Sequence, residues 1–169
     1  EAISPMRLAS ASLPVDELIA LAAMLRERLA GGAGEADAVD GAVVIQGTDT
    51  IEETAWLLDL LVGGEKPVVV TGAMRGPQAP GADGPANLLA AAIVAASPAA
   101  AGLGVTVVLN DQVHAARYVR KAHTALPSAF VSPLAGPVGL VAEGRLSVFL
   151  RPPRTEPIAM PGDWRERPE

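Results

Sequence analysis

The chain has 169 residues, enough for one domain with its own core and too few for two ordinary ones. Half of the residues are apolar but only 3% are aromatic, which favours aliphatic helices packed on a buried sheet. The net charge of −6 and the scattered basic residues argue against a nucleic-acid groove, and the lack of cysteine excludes disulfides and thiolate metal sites. No apolar run reaches the length of a membrane span.

Hydrophobic spacing predicts the elements of the first third of the chain. Ser12 and Pro14 mark a helix start, with apolar residues at helical spacing as far as Leu29 and glycine-rich residues 31–34 at its end. The apolar run 42–45 predicts a strand buried on both faces. Thr50 and Glu53 fit a capping box that opens a second helix, which Gly63 and Gly64 stop. The apolar face of that helix consists of Ile51, Ala55, Leu58 and Val62.

The remaining elements alternate in the same way. Residues 67–71 predict a strand, and a Gly/Pro-rich loop over 72–84 leads into an Ala-rich helix that begins at Pro85. A third buried strand, 104–109, closes at Asn110 and Asp111, and 139–149 predict a hairpin. The fold class is therefore α/β, a Rossmann- or flavodoxin-like sheet of mainly parallel strands with helices on both faces plus a C-terminal β-hairpin. We assign residues 1–150 to this domain and 151–169 to a Pro-rich linker.

Three polar segments follow predicted strands, at residues 47–50, 71–75 and 110–111. In open parallel sheets, ligands bind beyond the carboxyl ends of the strands, where helix N-termini point their amides at the pocket. Capping and turn roles are the simplest interpretation of Thr48 and Asp49. The capping box, however, assigns that work to Thr50 and leaves Thr48 and Asp49 free to face a pocket.

Lys121 gains significance only beside such a pocket. A lysine in a loop is usually a solvated charge. Next to a threonine and a carboxylate, its ammonium can be held by the carboxylate, or its neutral amine can take a hydroxyl proton. The sequence leaves two candidates for the carboxylate, Asp49 and Asp111.

Other motifs carry less weight. The loop 72–84 lacks both G-x-G-x-x-G and the Gly-Lys-Ser/Thr ending, so a nucleotide site is a weak interpretation. Arg75 fits either a carboxylate ligand or a structural cation paired with Asp83, and Asn87 fits a helix-start residue. His114 and His123 fit hydrogen-bonding or surface roles better than metal ligation.

Residues 41–55, GAVVIQGTDTIEETA, resemble the second signature of the bacterial-type L-asparaginases. Three further segments support this resemblance, with Lys121 downstream at the family's spacing. They are 67–75 (PVVVTGAMR), 82–88 (ADGPANL) and 107–111 (VVLND).

The resemblance implies hydrolysis of L-asparagine to L-aspartate and ammonia by a threonine-nucleophile mechanism, without metal or organic cofactor. Thr48, Asp49 and Lys121 match the family's Thr-Lys-Asp set. By that match, Lys121 assists proton removal, Thr48 relays the proton or activates water, and Asp49 also holds the substrate's α-ammonium. The backbone at Ala73 and the side chain at Ser10 are implied substrate contacts.

The sequence departs from the family pattern at three places. No Thr-Gly-Gly-Thr segment, the family's source of the first nucleophile, occurs. Gln46 replaces the usual histidine, and Ser10-Ala11 stands where the family has Ser-Gln. We therefore expect a fragment of the N-terminal domain that also lacks the C-terminal domain, has little activity alone and exposes a sheet edge.

The resemblance also implies a cytoplasmic homodimer or homotetramer in the full-length protein, with L-asparagine and secondarily L-glutamine as substrates and neither nucleic acid nor membrane as partner. Two alternatives within the enzyme class share these motifs, a glutaminase-asparaginase and a tRNA-dependent amidotransferase subunit. The tRNA alternative predicts an extra basic domain, which this acidic chain does not show. A third alternative, from another class, is a non-catalytic remnant or binding domain.

Overall fold

Three α-helices and a six-stranded sheet make up most of the regular structure. The computed structural model describes residues 1–31, 39–154 and 156–160. The helices are α1 (Val15–Leu29), α2 (Ile51–Leu61) and α3 (Gly84–Ala95). The strands are β1 (Ala42–Ile45), β2 (Val68–Thr71), β3 (Val105–Leu109), β4 (Gln112–Ala115), β5 (Arg120–Lys121), β6 (Phe130–Val131), β7 (Gly139–Ala142) and β8 (Arg145–Val148).

The main sheet has the order β1-β2-β3-β4-β7-β8. Strands β1, β2 and β3 are parallel, and β4, β7 and β8 add to them by antiparallel pairing. The predicted α/β fold with its C-terminal hairpin is confirmed. Strand β4 and the separate antiparallel pair β5–β6 were not predicted.

Helices cover both faces of the sheet, as the sequence predicts. Val68 and Val70 of β2 pack with α1 and α2, whereas Val69 between them packs with α3. The predicted apolar face of α2 is buried, with Ile51 and Leu58 both fully inaccessible to solvent. The parallel strands β2 and β3 are apolar on both faces because each face meets a helix.

Strand β1 forms where predicted, but the expectation that it is buried on both faces is wrong. Within the described residues β1 pairs only with β2, so it lies at an edge of the sheet. Its residues are only partly buried, and Ile45 at its end is 64% exposed. The expected exposure of a sheet edge is therefore present.

Two helix starts differ from the predictions. Ser12 ends a short 3₁₀ turn, Ser10–Ser12, and α1 begins after Pro14 without a side-chain cap. The predicted capping box at α2 is wrong as well. Thr50 occupies the N-cap position, but its hydroxyl donates to the carbonyl oxygen of Ser10 instead of capping the helix. Most of the predicted glycine stop after α1 lies outside the described residues.

A two-residue turn reverses the chain after β3. Asn110 and Asp111 both have positive φ, 51° and 61°, which suits the tight turn of a hairpin. The residues after β8 that the structure describes lie against the domain. The guanidinium of Arg151 donates to the carbonyl oxygens of Ala99 and Ala101, beyond the end of α3, and the Ile158 amide donates to the carbonyl oxygen of Leu60. In the part of the chain that is described, no helix has the length and apolar character to cross a bilayer.

Candidate active site

Thr48, Asp49 and Lys121 meet at the carboxyl end of β1. Lys121 Nζ lies 2.9 Å from Thr48 Oγ1 and 3.3 Å from Asp49 Oδ1. The Lys121 side chain is only 14% exposed, whereas that of Asp49 is 64% exposed. The three groups therefore form a hydrogen-bonded cluster, with the lysine enclosed and one carboxylate facing solvent.

The local chain path explains this geometry. Thr48 and Asp49 belong to a 3₁₀ turn, Thr48–Thr50, that connects β1 directly to α2. Lys121 ends the short strand β5, which pairs with β6. The threonine and the aspartate thus come from the rim of the main sheet, and the lysine comes from a separate small sheet.

Ser10 joins the cluster from the 3₁₀ turn that precedes α1. Its buried hydroxyl contacts both the backbone amide and Oδ2 of Asp49. Gly47 permits this approach, because a Cβ at that position would lie 2.6 Å from Ser10 Oγ. Thr50 also ties the segment down, since its hydroxyl donates to the carbonyl oxygen of Ser10 and accepts from Gln46 Nε2.

A cavity of about 450 Å³ adjoins the cluster. Ala73 lies on its wall, as do Gly47 and Gly72. Gly72 also touches the cluster, since a Cβ there would lie 3.2 Å from Thr48 Cγ2. Thr48, Asp49 and Lys121 do not line the cavity themselves, so the two features meet at the glycines. Its wall consists of Ile45, Gln46, Gly47, Thr71, Gly72, Ala73, Met74, Arg75, Gly76, Pro77, Gly84 and Leu88.

Asp83 and Asn87 fix the loop that carries Ala73. Asp83 accepts hydrogen bonds from the amides of Met74 and Arg75, and Asn87 Nδ2 donates to the carbonyl oxygen of Gly72. Burial raises the pKa of Asp83, but the hydrogen bonds from backbone amides and from Asn87 together lower it by more. The pKa of Asp83 therefore lies below its usual value. Arg75 contacts Asp83 through its backbone amide, whereas its guanidinium donates to the carbonyl oxygen of Gly81.

Asn110 belongs to the same scaffold, whereas Asp111 does not reach the lysine. The Asn110 amide donates to Asn87 Oδ1, which connects the end of β3 to the start of α3. Asp111 is exposed in the turn, and the lysine pairs with Asp49. Of the two carboxylate candidates that the sequence leaves open, the structure selects Asp49.

Among the described residues, neither histidine makes a hydrogen bond to the cluster. His114 is buried on β4, where Nδ1 is 2.9 Å from Ser132 Oγ, and burial lowers its pKa to about 4. His123 Nδ1 accepts from the Leu126 amide. Across residues 1–31, 39–154 and 156–160, no three histidine or carboxylate groups lie close enough together to hold a metal ion.

The cluster has the geometry of a proton relay. A charged Lys121 donates to Thr48 Oγ1, which leaves the hydroxyl hydrogen of Thr48 free to point at a third group. A neutral Lys121 at the same 2.9 Å accepts that hydrogen instead. The exposed carboxylate of Asp49 is able to bind a cationic group that arrives from solvent.

Glu52 also contacts Lys121, and the sequence motifs do not predict this contact. Its Oε2 accepts a hydrogen bond of 2.9 Å from the Lys121 backbone amide. A glutamate in a first helical turn ordinarily indicates capping, so no local signal distinguishes this role.

Comparison with known proteins shows where this site belongs. A family model described as "Asparaginase, N-terminal" matches residues 1–154. The chain belongs to the asparaginase family. The resemblance drawn from residues 41–55 is thereby confirmed, and the α/β sheet of this asparaginase-family chain agrees with the fold that the resemblance implies.

Individual relatives agree with the family match. The asparaginase-family chain is 51% identical over 107 residues to "L-asparaginase 2" of Bacillus subtilis (strain 168), covering 63% of the chain and 28% of the relative. It is 43% identical over 129 residues to "L-asparaginase 2" of Escherichia coli (strain K12), covering 76% and 37%. It is 42% identical over 147 residues to "Glutaminase-asparaginase" of Pseudomonas fluorescens biotype A, covering 87% and 39%. The chain thus spans about a third of the length of these relatives.

Proposed function

We propose that the natural gene product carrying this chain hydrolyses L-asparagine to L-aspartate and ammonia. The observation that carries the proposal is the 2.9 Å contact between Lys121 Nζ and Thr48 Oγ1, with Asp49 on the same ammonium. Amide hydrolysis adds the hydroxyl of water to the acyl carbon and a proton to the leaving nitrogen. A hydroxyl hydrogen-bonded to an enclosed amine supplies the proton transfers that both changes require.

Each residue of the cluster has a role in this proposal. As the neutral amine, Lys121 assists proton removal by taking the hydroxyl proton of Thr48, while Thr48 takes a proton from the attacking water, so that Thr48 relays the proton and activates the water. Asp49 holds the α-ammonium of the substrate, with Ser10 and the backbone at Ala73 as further substrate contacts. The family resemblance assigns the first attack on the amide to a threonine of a Thr-Gly-Gly-Thr segment, and no such segment occurs in this chain.

L-glutamine is the second candidate substrate, because three relatives bear the name "Glutaminase-asparaginase". Assembly into a homodimer or homotetramer and a cytoplasmic location belong to the same proposal. Analytical ultracentrifugation and fractionation of the source cells test them.

Ammonia release from L-asparagine and L-glutamine by the natural gene product tests the activity. Succinamate, which is asparagine without its amino group, is the matched control for the role of Asp49. We expect rapid release from L-asparagine and at least about tenfold slower release from succinamate, because the missing ammonium loses its charge-assisted hydrogen bond. Binding of L-aspartate without turnover of either amino-acid amide would refute the enzyme and favour a binding domain.

A further inference from the structure

Lys121 is held at two points, and only one of them is in its side chain. The ammonium contacts Thr48 and Asp49, and the backbone amide donates to Glu52 Oε2 at 2.9 Å. Glu52 lies in the first turn of α2, three residues after Asp49 and 69 residues before Lys121. One short segment of chain therefore contacts both ends of the lysine residue.

The backbone amide of Lys121 needs a partner from outside its own small sheet. In an antiparallel pair, successive amides point alternately towards and away from the neighbouring strand. The Ala122 amide donates to the carbonyl oxygen of Ala129, on the β6 side. The Lys121 amide consequently points away from β6, and Glu52 occupies the place that a further strand would take.

We infer that Glu52 is a positioning residue, which fixes the backbone of Lys121 so that its ammonium reaches Thr48. Strand β5 has only two residues and a single neighbouring strand, so few backbone bonds hold it. The four-carbon stem of lysine is flexible and does not transmit position well unless its base is fixed. The charge-assisted hydrogen bond from the Lys121 amide to Glu52, on the helix that follows Thr48 and Asp49, supplies that fixed base.

Glu53 provides the internal comparison. It lies one residue further along α2 and has the same charge, but its side chain is exposed and makes no hydrogen bond among the described residues. A general effect of first-turn carboxylates on the helix dipole would apply to both residues alike. Only Glu52 contacts the lysine.

Two conservative variants separate a hydrogen bond from a charge effect. Glu52→Gln keeps the length and an acceptor oxygen but loses the charge, whereas Glu52→Asp keeps the charge but is one methylene too short. If Glu52 acts through its hydrogen bond, Glu52→Gln should behave like the wild type and Glu52→Asp should not. Glu53→Asp is the matched control for the shortening.

Acetylation of lysine with acetic anhydride, followed by peptide mapping, measures how accessible the Lys121 amine is. This measurement does not require the protein to be catalytically active. The chain contains two lysines, so Lys66 serves as the internal reference. The Lys121 side chain is only 14% exposed, and we expect its acetylation relative to Lys66 to rise about fivefold or more in Glu52→Asp but not in Glu52→Gln or Glu53→Asp. Unchanged acetylation in Glu52→Asp, or an equal rise in Glu53→Asp, overturns the inference.

The catalytic consequence rests on the proposed function and is measured separately. In the natural gene product, Glu52→Asp should lower kcat for L-asparagine by on the order of tenfold or more with little change in KM, because a misplaced catalytic group slows chemistry more than binding. Glu52→Gln should retain most of the wild-type kcat. An inactive natural gene product would refute the proposed function alone, because the acetylation pattern still decides whether Glu52 positions Lys121.

Discussion

Ser10 holds Asp49 at two points. The Ser10 hydroxyl accepts a hydrogen bond from the Asp49 backbone amide and donates one to the Asp49 carboxylate, and both bonds are 3.3 Å long. The two residues are 39 positions apart and belong to different 3₁₀ turns. Ser10 therefore orients the carboxylate that we propose as the ligand of the substrate's ammonium.

Replacing Ser10 should weaken substrate binding more than chemistry. In Ser10→Ala the Asp49 carboxylate loses one hydrogen bond, and we expect KM for L-asparagine to rise about tenfold while kcat changes less than about threefold. Ser12→Ala is the matched control, because Ser12 is exposed two residues away. Steady-state ammonia assays measure both constants. An unchanged KM in Ser10→Ala would contradict the role assigned to this contact.

Thr48 and Lys121 should act as one catalytic unit. Thr48→Val and Lys121→Met keep the approximate shape of each side chain and remove the groups that meet at 2.9 Å. Each single change should lower kcat by on the order of 10³-fold, and the double variant should be no slower than the slower single variant. A double variant whose losses multiply would show that the two groups act independently. Circular dichroism spectra of all three variants should match that of the wild type, which controls for loss of folding.

Gly72 should tolerate no side chain, for reasons of space. A Cβ at Gly72 would lie 2.5 Å from the carbonyl oxygen of Gln46, so the end of β1 would have to move. We expect Gly72→Ala to lower the free energy of unfolding by about 1–3 kcal/mol, as overpacking does. Gly76→Ala is the control, because a Cβ there would meet nothing within 4 Å. Urea unfolding that gave equal midpoints for both variants would disprove the steric argument.

His114 should make stability fall as the solution is acidified. Burial lowers its folded-state pKa from 6.5 to about 4, so between these values the unfolded chain binds a proton that the folded chain does not. Stability should therefore decrease as pH falls from 6.5 to about 4, by on the order of 3 kcal/mol in total.

Urea unfolding at several pH values, in the wild type and in His114→Asn, measures this contribution. The variant should show a flatter pH dependence in that window. An identical slope in His114→Asn and the wild type would assign the acid sensitivity to other groups.

The sequence predicted most of the fold because its longest apolar patterns are local. The runs that became β2 and β3 and the stripe on α2 from Ile51 to Val62 lie in single segments, so their periodicity is readable without the fold. Strands β5 and β6 were missed because two-residue strands carry no periodicity. Their existence depends on pairing between distant residues.

The site was predictable only in part for the same reason. Thr48 and Asp49 follow a predicted strand, whereas only the spacing of a family motif indicates Lys121. The local rule assigned Thr50 and Glu53 to a capping box, and the structure instead shows Thr50 bonded to Ser10. The contact between Glu52 and Lys121 has no sequence signal, because it joins a helix to a strand that was itself not predicted.

The separation of 73 residues between Thr48 and Lys121 also has a consequence for refolding. Bringing such distant segments together carries a large loop-closure entropy, which must be offset by contacts formed elsewhere. Neither the helix that follows Thr48 nor the short strand that ends at Lys121 contains a working relay by itself. Recovery of turnover after denaturation should therefore lag behind recovery of helical structure and report the docking of the small sheet onto the large one.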